Sequence, residues 1–337
     1  MRTGALCANL RALLPREERG TAVAAPGTNC RPRYQCLRNR SELTPDRCAP
    51  YDESSSGERS KSFVGIATLL AAQVLRALPR VRLSRAVGRL CDQPLPPVVS
   101  RAVTNIYCRS YRVDLEDAEL PPGAFPSFDA FFTRQLKPGA RAVSTDALVS
   151  PADGDLSSQG VIDPGARIFV KGQPYDVGEL VGDPRDAARY AGGEFAVIYL
   201  APRDYHRVHA PADGNITLVR GLAGDLYPVN AIGERHVPQL FVRNQRAAIV
   251  IDTPGLGRVT VVMVGAVIVG RVTVSVLGGA DVPPGLHPIE PAVAVRRGDE
   301  LGVFHLGSTV VLLLEPGLAV ARKTGPIRFG ESLLRAG

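Results

Sequence analysis

The residues of this 337-residue chain that are most able to do chemistry form the tetrad Leu306 to Thr309, which directly precedes an apolar run from Val310 to Leu314. Its central Gly307-Ser308 bond joins an unhindered carbonyl to a neighbouring hydroxyl, and this arrangement is what acyl transfer from nitrogen to oxygen requires. The tetrad therefore indicates a protein that cleaves its own backbone. Gly-Ser is also a common turn dipeptide, so the tetrad alone leaves a purely structural interpretation open.

Two further segments supply an acid and two bases. Asp153 precedes a glycine in one segment, and His206 and His209 lie in the other, between Pro202 and Pro211. An imidazole suits proton transfer near neutral pH. Asp-Gly is also an ordinary turn signal, and two histidines three residues apart would share a face only in a helix. The two prolines make a long helix improbable and favour a loop that enters a strand.

These segments occur together with several other motifs. In chain order, the motifs are Asp153-Gly154, Tyr205-His206-Arg207-Val208-His209, Gly224-Asp225-Leu226 with Val229-Asn230, Asn244-Gln245-Arg246, Val264-Gly265-Ala266 and the Leu-Gly-Ser-Thr tetrad. In this combination and order the chain resembles the phosphatidylserine decarboxylases, specifically the membrane-associated bacterial type. The resemblance extends from roughly residue 63 to residue 329.

The resemblance implies a self-processing, pyruvoyl-dependent enzyme. The proenzyme is expected to cleave between Gly307 and Ser308, and Ser308 then becomes the pyruvoyl cofactor. The family's pyruvoyl group forms a Schiff base with the substrate amine and acts as an electron sink. The implied reaction converts phosphatidylserine to phosphatidylethanolamine and CO2, and no metal is expected.

The resemblance also assigns roles to individual residues. His209 matches the processing base, Asp153 the carboxylate that orients it, and Ser308 the nucleophile, an arrangement like that of the serine proteases. His206 matches a position associated with decarboxylation itself. Tyr205 and Asn230 lie in matching motifs, and both are candidates for lining the substrate pocket.

Charge is distributed unevenly along the chain. Residues 1 to 112 contain 19 Lys and Arg against 8 Asp and Glu, a net charge of +11, whereas the remaining 225 residues contain 21 against 25, a net charge of −4. A basic segment suits either a nucleic acid or an anionic lipid surface, so the pattern of apolar residues has to decide between them.

That pattern predicts three N-terminal helices. Phe63 to Leu78 is apolar but too short to span a bilayer, which takes roughly 20 residues. The next helix alternates Val81, Leu83, Val87 and Leu90 with Arg82, Arg85 and Arg89, and the third carries Val99, Ala102, Val103, Ile106 and Tyr107. Packing on the domain with a solvated basic face is one interpretation. Docking on anionic lipid is the other, and the implied lipid substrate favours docking over packing.

The remainder of the chain predicts an α+β fold in which N-terminal amphipathic helices are followed by a mainly antiparallel β catalytic domain. A short helix over Ser127 to Gln135 should pack on the core through its phenylalanines. Runs rich in Val and Ile, separated by turn residues, predict strands. These strands are Phe195–Leu200, Ile216–Val219, Ala247–Ile251, Val259–Val264, Val267–Val276 and Thr309–Leu314.

These patterns divide the chain into three parts. Residues 1–60 contain four cysteines without a standard zinc spacing and are expected to be a disordered extension. Residues 61–140 are expected to be a helical membrane-associating region, and residues 141–337 a β-rich catalytic domain. The stretch from Met1 to Leu14 lacks a signal-peptide core and cleavage site, so we expect a peripheral protein on the cytoplasmic side of the cell membrane.

Two other functions remain open from the residues alone. One is a zinc hydrolase that uses His206, His209 and Asp153, although the remaining histidines have no recognisable ligand spacing. The other is a noncatalytic lipid-binding module in which the tetrad is only a turn. The expected partners are phosphatidylserine, an anionic membrane surface and a second copy in a homodimer, and the two self-cleaved chains should stay associated.

Overall fold

In the part of the chain that the structure describes, three helices precede the first strand. The computed structural model describes residues 80–267, 271–279 and 281–334. The predictions for residues 1–60 and for the helix over residues 63–78 lie outside this range. The helices are α1 (Arg80–Asp92), α2 (Pro97–Tyr111), α3 (Phe128–Phe132), α4 (Val177–Val181), α5 (Pro184–Ala187), α6 (Ala231–His236) and α7 (Leu240–Arg243).

The first two helices follow the predicted amphipathic pattern. Arg82, Arg85 and Arg89 are exposed on α1. A proline occupies the first position of α2, where a missing N–H is harmless. The helix ends at Tyr111 and is capped by Arg112, whose φ of 57° is left-handed. Both helices were therefore predictable from sequence.

Thirteen strands lie in the described part of the chain after residue 153. They are β1 (Gly154–Val161), β2 (Arg167–Val170), β3 (Gln173–Asp176), β4 (Glu194–Leu200), β5 (Arg207–His209), β6 (Gly214–Leu222), β7 (Arg246–Thr253), β8 (Gly257–Gly265), β9 (Val272–Val274), β10 (Gly285–Val295), β11 (Glu300–Phe304), β12 (Ser308–Leu314) and β13 (Gly325–Ile327).

These strands form three sheets whose neighbours pair antiparallel. The largest has the order β10-β6-β7-β8-β12-β4-β1-β13, the second has the order β5-β11-β9, and β2 pairs with β3. The strand that begins at Ser308 is thus central, with β8 on one side and β4 on the other. Mainly antiparallel sheets with N-terminal helices confirm the predicted α+β class.

Each face of the large sheet covers its own core. Val310, Leu312 and Leu314 of β12 belong to a first core that also contains residues of the three-stranded sheet. Val311 and Leu313 point the other way, into a second core shared with β2, β3, α4 and α7. Because a strand alternates its side chains between faces, β12 is apolar at every position after the first two.

Two sequence predictions need correction. The helix expected over Ser127 to Gln135 covers only Phe128–Phe132, because Ser127 caps its start and the chain turns at Thr133. The strand expected over Val267 to Val276 is reduced, within the described residues, to Val272–Val274. A 3-10 turn over Ser275–Leu277 follows it and ends at the left-handed Gly278. The other five predicted strands are confirmed.

Candidate functional site

The Gly307-Ser308 bond lies at a strained entry to the central strand. Leu306 has a φ of 94° and Gly307 a φ of 26°. For a residue with a side chain, a left-handed backbone costs about 1–2 kcal/mol. Leu306 is held there because its side chain is buried in the second core. The surrounding packing therefore sustains strain directly beside the candidate scissile bond.

Ser308 itself is fully buried as the first residue of β12. Its neighbours across the sheet are Leu200 of β4 and Gly265 of β8. The Ser308 Oγ has no hydrogen-bond partner. A buried hydroxyl without a partner is costly and uncommon in a stability-driven core, so this atom is a candidate for chemistry.

The glycine opposite Ser308 is fixed by the Asn244 motif. The Asn244 side-chain amide donates 2.8 Å to the carbonyl of Gly265 and 2.9 Å to the carbonyl of Tyr227. Its carbonyl oxygen accepts from the Tyr227 N–H at 2.9 Å. One buried amide therefore ties the loop after Gly224-Asp225-Leu226 to the strand beside Ser308.

His206 lies just before β5, beside the segment that leads to Ser308. Its main-chain carbonyl accepts 2.9 Å from the N–H of Phe304, four residues before Ser308. Its Nδ1 lies 2.8 Å from the Asp204 carbonyl. A carbonyl can only accept, so Nδ1 carries the proton and Nε2 keeps a lone pair.

The His206 ring is held neutral. It packs 4.1 Å from the Phe132 ring, and Nε2 is buried without a hydrogen-bond partner. Burial lowers the pKa of His206 to about 3. The site thus contains two buried polar atoms without partners, the Ser308 hydroxyl and a neutral imidazole nitrogen.

His209 occupies the other end of β5. Its Nδ1 donates 2.7 Å to the Gly298 carbonyl, and its Nε2 lies 3.3 Å from the Tyr205 hydroxyl. The ring stacks 3.9 Å from that of Phe329. Burial is the main cause that lowers the pKa of His209, so this imidazole also favours its neutral form.

Asp153 reaches His209 through Phe329. Its Oδ1 accepts 2.8 Å from the Phe329 N–H, and its Oδ2 lies 2.7 Å from Nη2 of Arg141. In the part of the chain that the structure describes, no hydrogen bond joins Asp153 directly to His209. The structure therefore forms two groups, with His206 towards the Ser308 end of β5 and His209, Tyr205 and Asp153 at the other.

A family model for phosphatidylserine decarboxylase matches residues 128–335. The chain belongs to the phosphatidylserine decarboxylase family. Three relatives are each named phosphatidylserine decarboxylase proenzyme. One, from Anaeromyxobacter sp. (strain K), is 41% identical over 279 residues, which cover 78% of this chain and 97% of the relative. The relative from Acinetobacter baylyi is 41% identical over 71% of this chain and 84% of its own length. The third, from Myxococcus xanthus, is 40% identical over 72% and 89%, respectively.

As a member of the phosphatidylserine decarboxylase family, the protein is an enzyme. Among the residues described, no three His, Cys, Asp or Glu side chains are grouped to hold a metal ion. Nδ1 of His206 and Nδ1 of His209 instead lie against two different carbonyls. Within that same part, no helix has the length and apolar character needed to cross a bilayer.

Several contacts of this decarboxylase were not predictable from its motifs. Phe329 and Gly298 hold His209, and Arg141 holds Asp153. Tyr205 was singled out, and its hydroxyl meets His209. Asn230 was singled out too, but it is exposed and accepts from the Gly233 N–H at the start of α6. Motifs indicate which residues matter, whereas these partners come from distant segments without a local signal.

A further cluster joins the segment before Ser308 to the N-terminal helices. Nδ1 of His305 lies 2.8 Å from Oδ1 of Asp129 in α3 and 2.9 Å from Nη2 of Arg271. Arg271 also contacts both carboxylate oxygens of Asp92, at the end of α1, at 2.9 and 3.0 Å. This polar chain fixes the residue that immediately precedes the strained Leu306.

Proposed function

We propose that this enzyme decarboxylates phosphatidylserine to phosphatidylethanolamine and CO2 with a pyruvoyl group that it makes from Ser308. The observation that carries the proposal is the buried, unpartnered Ser308 hydroxyl, placed directly after the strained Leu306-Gly307 turn. Membership in the phosphatidylserine decarboxylase family supports the substrate and the reaction.

Self-cleavage would begin at the Ser308 hydroxyl. Its Oγ attacks the Gly307 carbonyl carbon, a neutral imidazole takes the hydroxyl proton, and the peptide nitrogen takes a proton as its bond to that carbon breaks. The product is an ester between Gly307 and the Ser308 side chain. Loss of the Ser308 α-proton then expels the Gly307 carboxylate. Addition of water and release of ammonia leave the pyruvoyl group on the second chain. Relief of strain at Leu306 favours the first step.

We assign the base of this step to His209, with Asp153 as the supporting carboxylate. Burial keeps the His209 imidazole neutral, so it can accept a proton. Asp153 acts through Phe329, to which it is hydrogen-bonded and on which His209 stacks. A second assignment has specific support, because His206 lies beside the segment that leads to Ser308 and offers a free Nε2 lone pair.

The residues around Ser308 fit a pyruvoyl group. When formed, that group supplies the electron sink that ordinary side chains lack. The strands that carry Leu200 and Gly265 would hold it from both sides. His206 would handle the proton that replaces the lost carboxylate, since its Nε2 is neutral and has no competing partner. The buried surroundings would exclude water from this proton transfer.

We further propose that the N-terminal helices dock on an anionic membrane surface at the cytoplasmic side. Leu90 is 70% exposed on α1 and Ile106 is 65% exposed on α2, with Val98 and Val99 also exposed. Arginines of α1 lie beside this apolar surface. Apolar side chains with flanking arginines suit the boundary between acyl chains and anionic headgroups. Cosedimentation with vesicles containing phosphatidylserine should decrease for Leu90→Glu and Ile106→Glu, but not for Leu286→Glu on the exposed edge strand β10.

The two chains should stay together after cleavage, because β12 is hydrogen-bonded to a strand of the other chain on each side. A homodimer is our proposal for the assembly, by analogy with the family. Light scattering of the purified protein in detergent tests the assembly, and a monomer at all concentrations would contradict it.

The decisive experiment is an intact mass spectrum of the purified protein. We expect one chain that ends at Gly307 and a second chain of 30 residues, residues 308–337, lighter than a serine-started peptide by the elements of ammonia. Ser308→Ala should remain one full-length chain without decarboxylase activity. Self-cleavage of Ser308→Ala would refute the proposal. Decarboxylase activity that is retained in the presence of a metal chelator would argue against a zinc hydrolase. Any measured decarboxylation of phosphatidylserine would argue against a noncatalytic module.

The two histidines can be separated by the same assay. His209→Ala should remain uncut, because the nucleophile loses its base. His206→Ala should be cut but should turn over poorly. If His206→Ala remains uncut while His209→Ala is cut, the base is His206 instead.

A further inference from the structure

A charged cleft of about 700 Å³ lies beside the candidate site. Its lining includes Asp153, Tyr205 and Ala201, the residue after the strand partner of Ser308. Arginines and carboxylates face each other across it. Such a cleft suits a headgroup that carries both an ammonium and oxyanions.

Most of the cleft's arginines already have carboxylate partners. Arg141 contacts Asp117 and Asp153, and Arg322 contacts Glu331. Arg328 lies 3.8 Å from Asp117, and the exposed Arg203 lies 3.7 Å from Asp204. These pairs account for the charge of each guanidinium. They leave one buried arginine of the cleft to be explained.

That residue is Arg134, which is only 6% exposed. Its Nη2 lies 3.3 Å from the Arg203 carbonyl and 3.5 Å from the Asp204 carbonyl, and Nε has no partner. Its guanidinium also lies over the Phe131 ring, 5.7 Å from the ring centroid. Within residues 80–267, 271–279 and 281–334, no carboxylate lies within 4.0 Å of Arg134.

A buried charge without an opposite charge is costly, and proteins rarely keep one without a role. Burial accordingly lowers the pKa of Arg134. Asp153 and Asp204 act on this guanidinium only from a distance, so a bound oxyanion would be the carboxylate or phosphate in direct contact with it and would accept from the free Nε–H. The planar guanidinium is suited to carboxylate and phosphate geometry.

We propose that Arg134 binds an oxyanion of the glycerophosphoserine headgroup in this cleft, either the phosphodiester or the serine carboxylate. The inference rests on the proposed function, because that headgroup belongs to the proposed substrate. Arg134 also lies within hydrogen-bond distance of the carbonyls of Arg203 and Asp204, which are three and two residues before His206. The same side chain thus joins the headgroup to the loop that carries the decarboxylation histidine.

Calorimetric titration measures headgroup binding by Arg134 in a protein that cannot turn the ligand over. Full-length Ser308→Ala protein is titrated with glycerophosphoserine and with glycerophosphoethanolamine, which lacks the carboxylate. The protein that carries Arg134→Gln together with Ser308→Ala should bind glycerophosphoserine about 10- to 100-fold more weakly, the range for one lost charge-assisted hydrogen bond. Arg185→Gln, which removes an exposed arginine of α5 outside this cleft, is the matched control and should bind unchanged.

The two ligands identify the oxyanion. If Arg134→Gln weakens both ligands equally, Arg134 binds the phosphodiester. If it weakens only glycerophosphoserine, Arg134 binds the carboxylate. Unchanged affinity in Arg134→Gln, or no binding of either ligand to the parent protein, would overturn the proposal.

A purely structural role would predict a different result. Serine methyl ester carries the ammonium but no oxyanion, so any affinity it has should be the same in the parent and in Arg134→Gln. An equal loss for all ligands would mean that Arg134 only holds the loop. If Arg134→Gln does not fold, the nitrogen chemical shift of Arg134 Nε in the Ser308→Ala protein provides the test. It should move on titration with glycerophosphoserine, and a fixed shift at saturation would overturn the proposal.

The outcome is independent of self-processing. The proposed function fails if no pyruvoyl group forms in the unaltered chain, which the mass spectrum detects. The headgroup inference fails on binding alone, in a protein that cannot form the group. Each can therefore fail without the other.

Discussion

The buried imidazole of His206 should make the protein sensitive to acid. Its pKa is about 3 in the folded protein, and an unfolded histidine has a pKa of about 6.5. As the pH falls below about 6.5, the unfolded chain binds a proton that folded His206 does not bind. Stability is therefore present above that pH and is lost progressively as the pH falls towards about 3.

The size of the effect follows from the difference between the two pKa values. Each pH unit within the window changes the free energy of unfolding by about 1.4 kcal/mol, so His206 alone should lower it by about 2 kcal/mol between about pH 7 and about pH 5. His209 shifts in the same direction. Its contribution cancels when two proteins that both retain it are compared.

Urea denaturation measures the effect. Both proteins carry Ser308→Ala so that neither is cut. The parent has only this substitution, the variant also has His206→Gln, and their free energies of unfolding are compared at the two pH values. The parent should lose about 2 kcal/mol more than the variant on acidification. Leu286→Gln, on the exposed edge strand β10, changes no titratable group and is the control that should retain the parent's pH dependence. The same loss with and without His206 would refute the assignment of a neutral, buried imidazole.

Two further predictions concern the segment before Ser308. Leu306→Gly should slow self-cleavage, because glycine adopts the φ of 94° without the cost of about 1–2 kcal/mol. Leu306→Ala removes similar packing but keeps the strain, so a time course by gel should show faster cutting for alanine, and equal rates would contradict the role of strain. Asp129→Asn weakens the contact with His305 and Arg271 and should lower the free energy of unfolding in urea by about 1–3 kcal/mol. No loss would mean that this cluster does not stabilise the fold.

The best-predicted parts of the fold are the strands that are buried on both faces. The runs at Phe195–Leu200, Val259–Val264 and Thr309–Leu314 are continuous and rich in branched residues, and they pair with one another in the centre of the sheet. The strands β1 and β10 were not predictable, because their polar, glycine and proline residues obscure the period of two. They lie away from the centre of the sheet, where one or both faces are exposed and hydrophobicity is not required.

The motifs singled out four candidate residues, whose catalytic roles stay predictions, and they predicted few of the contacts around them. The motifs indicated Asp153, His206, His209 and Ser308, and each is buried. No local pattern indicated that Phe329 would connect Asp153 to His209, because those residues are far apart along the chain. Long-range partners of this kind depend on tertiary packing.

Cleavage directly before the central strand β12 would change the kinetic order of refolding. An uncut chain folds in a unimolecular process, whereas a cut protein that has been unfolded must recover its central strand from a separate 30-residue peptide. The yield of refolded protomers should therefore rise with protein concentration for the cut protein, and the yield of Ser308→Ala protomers should not. Denaturation would be reversible before the cut and, at cellular dilution, nearly irreversible after it. The enzyme would have to be folded before it is cut, and each molecule could be assembled only once.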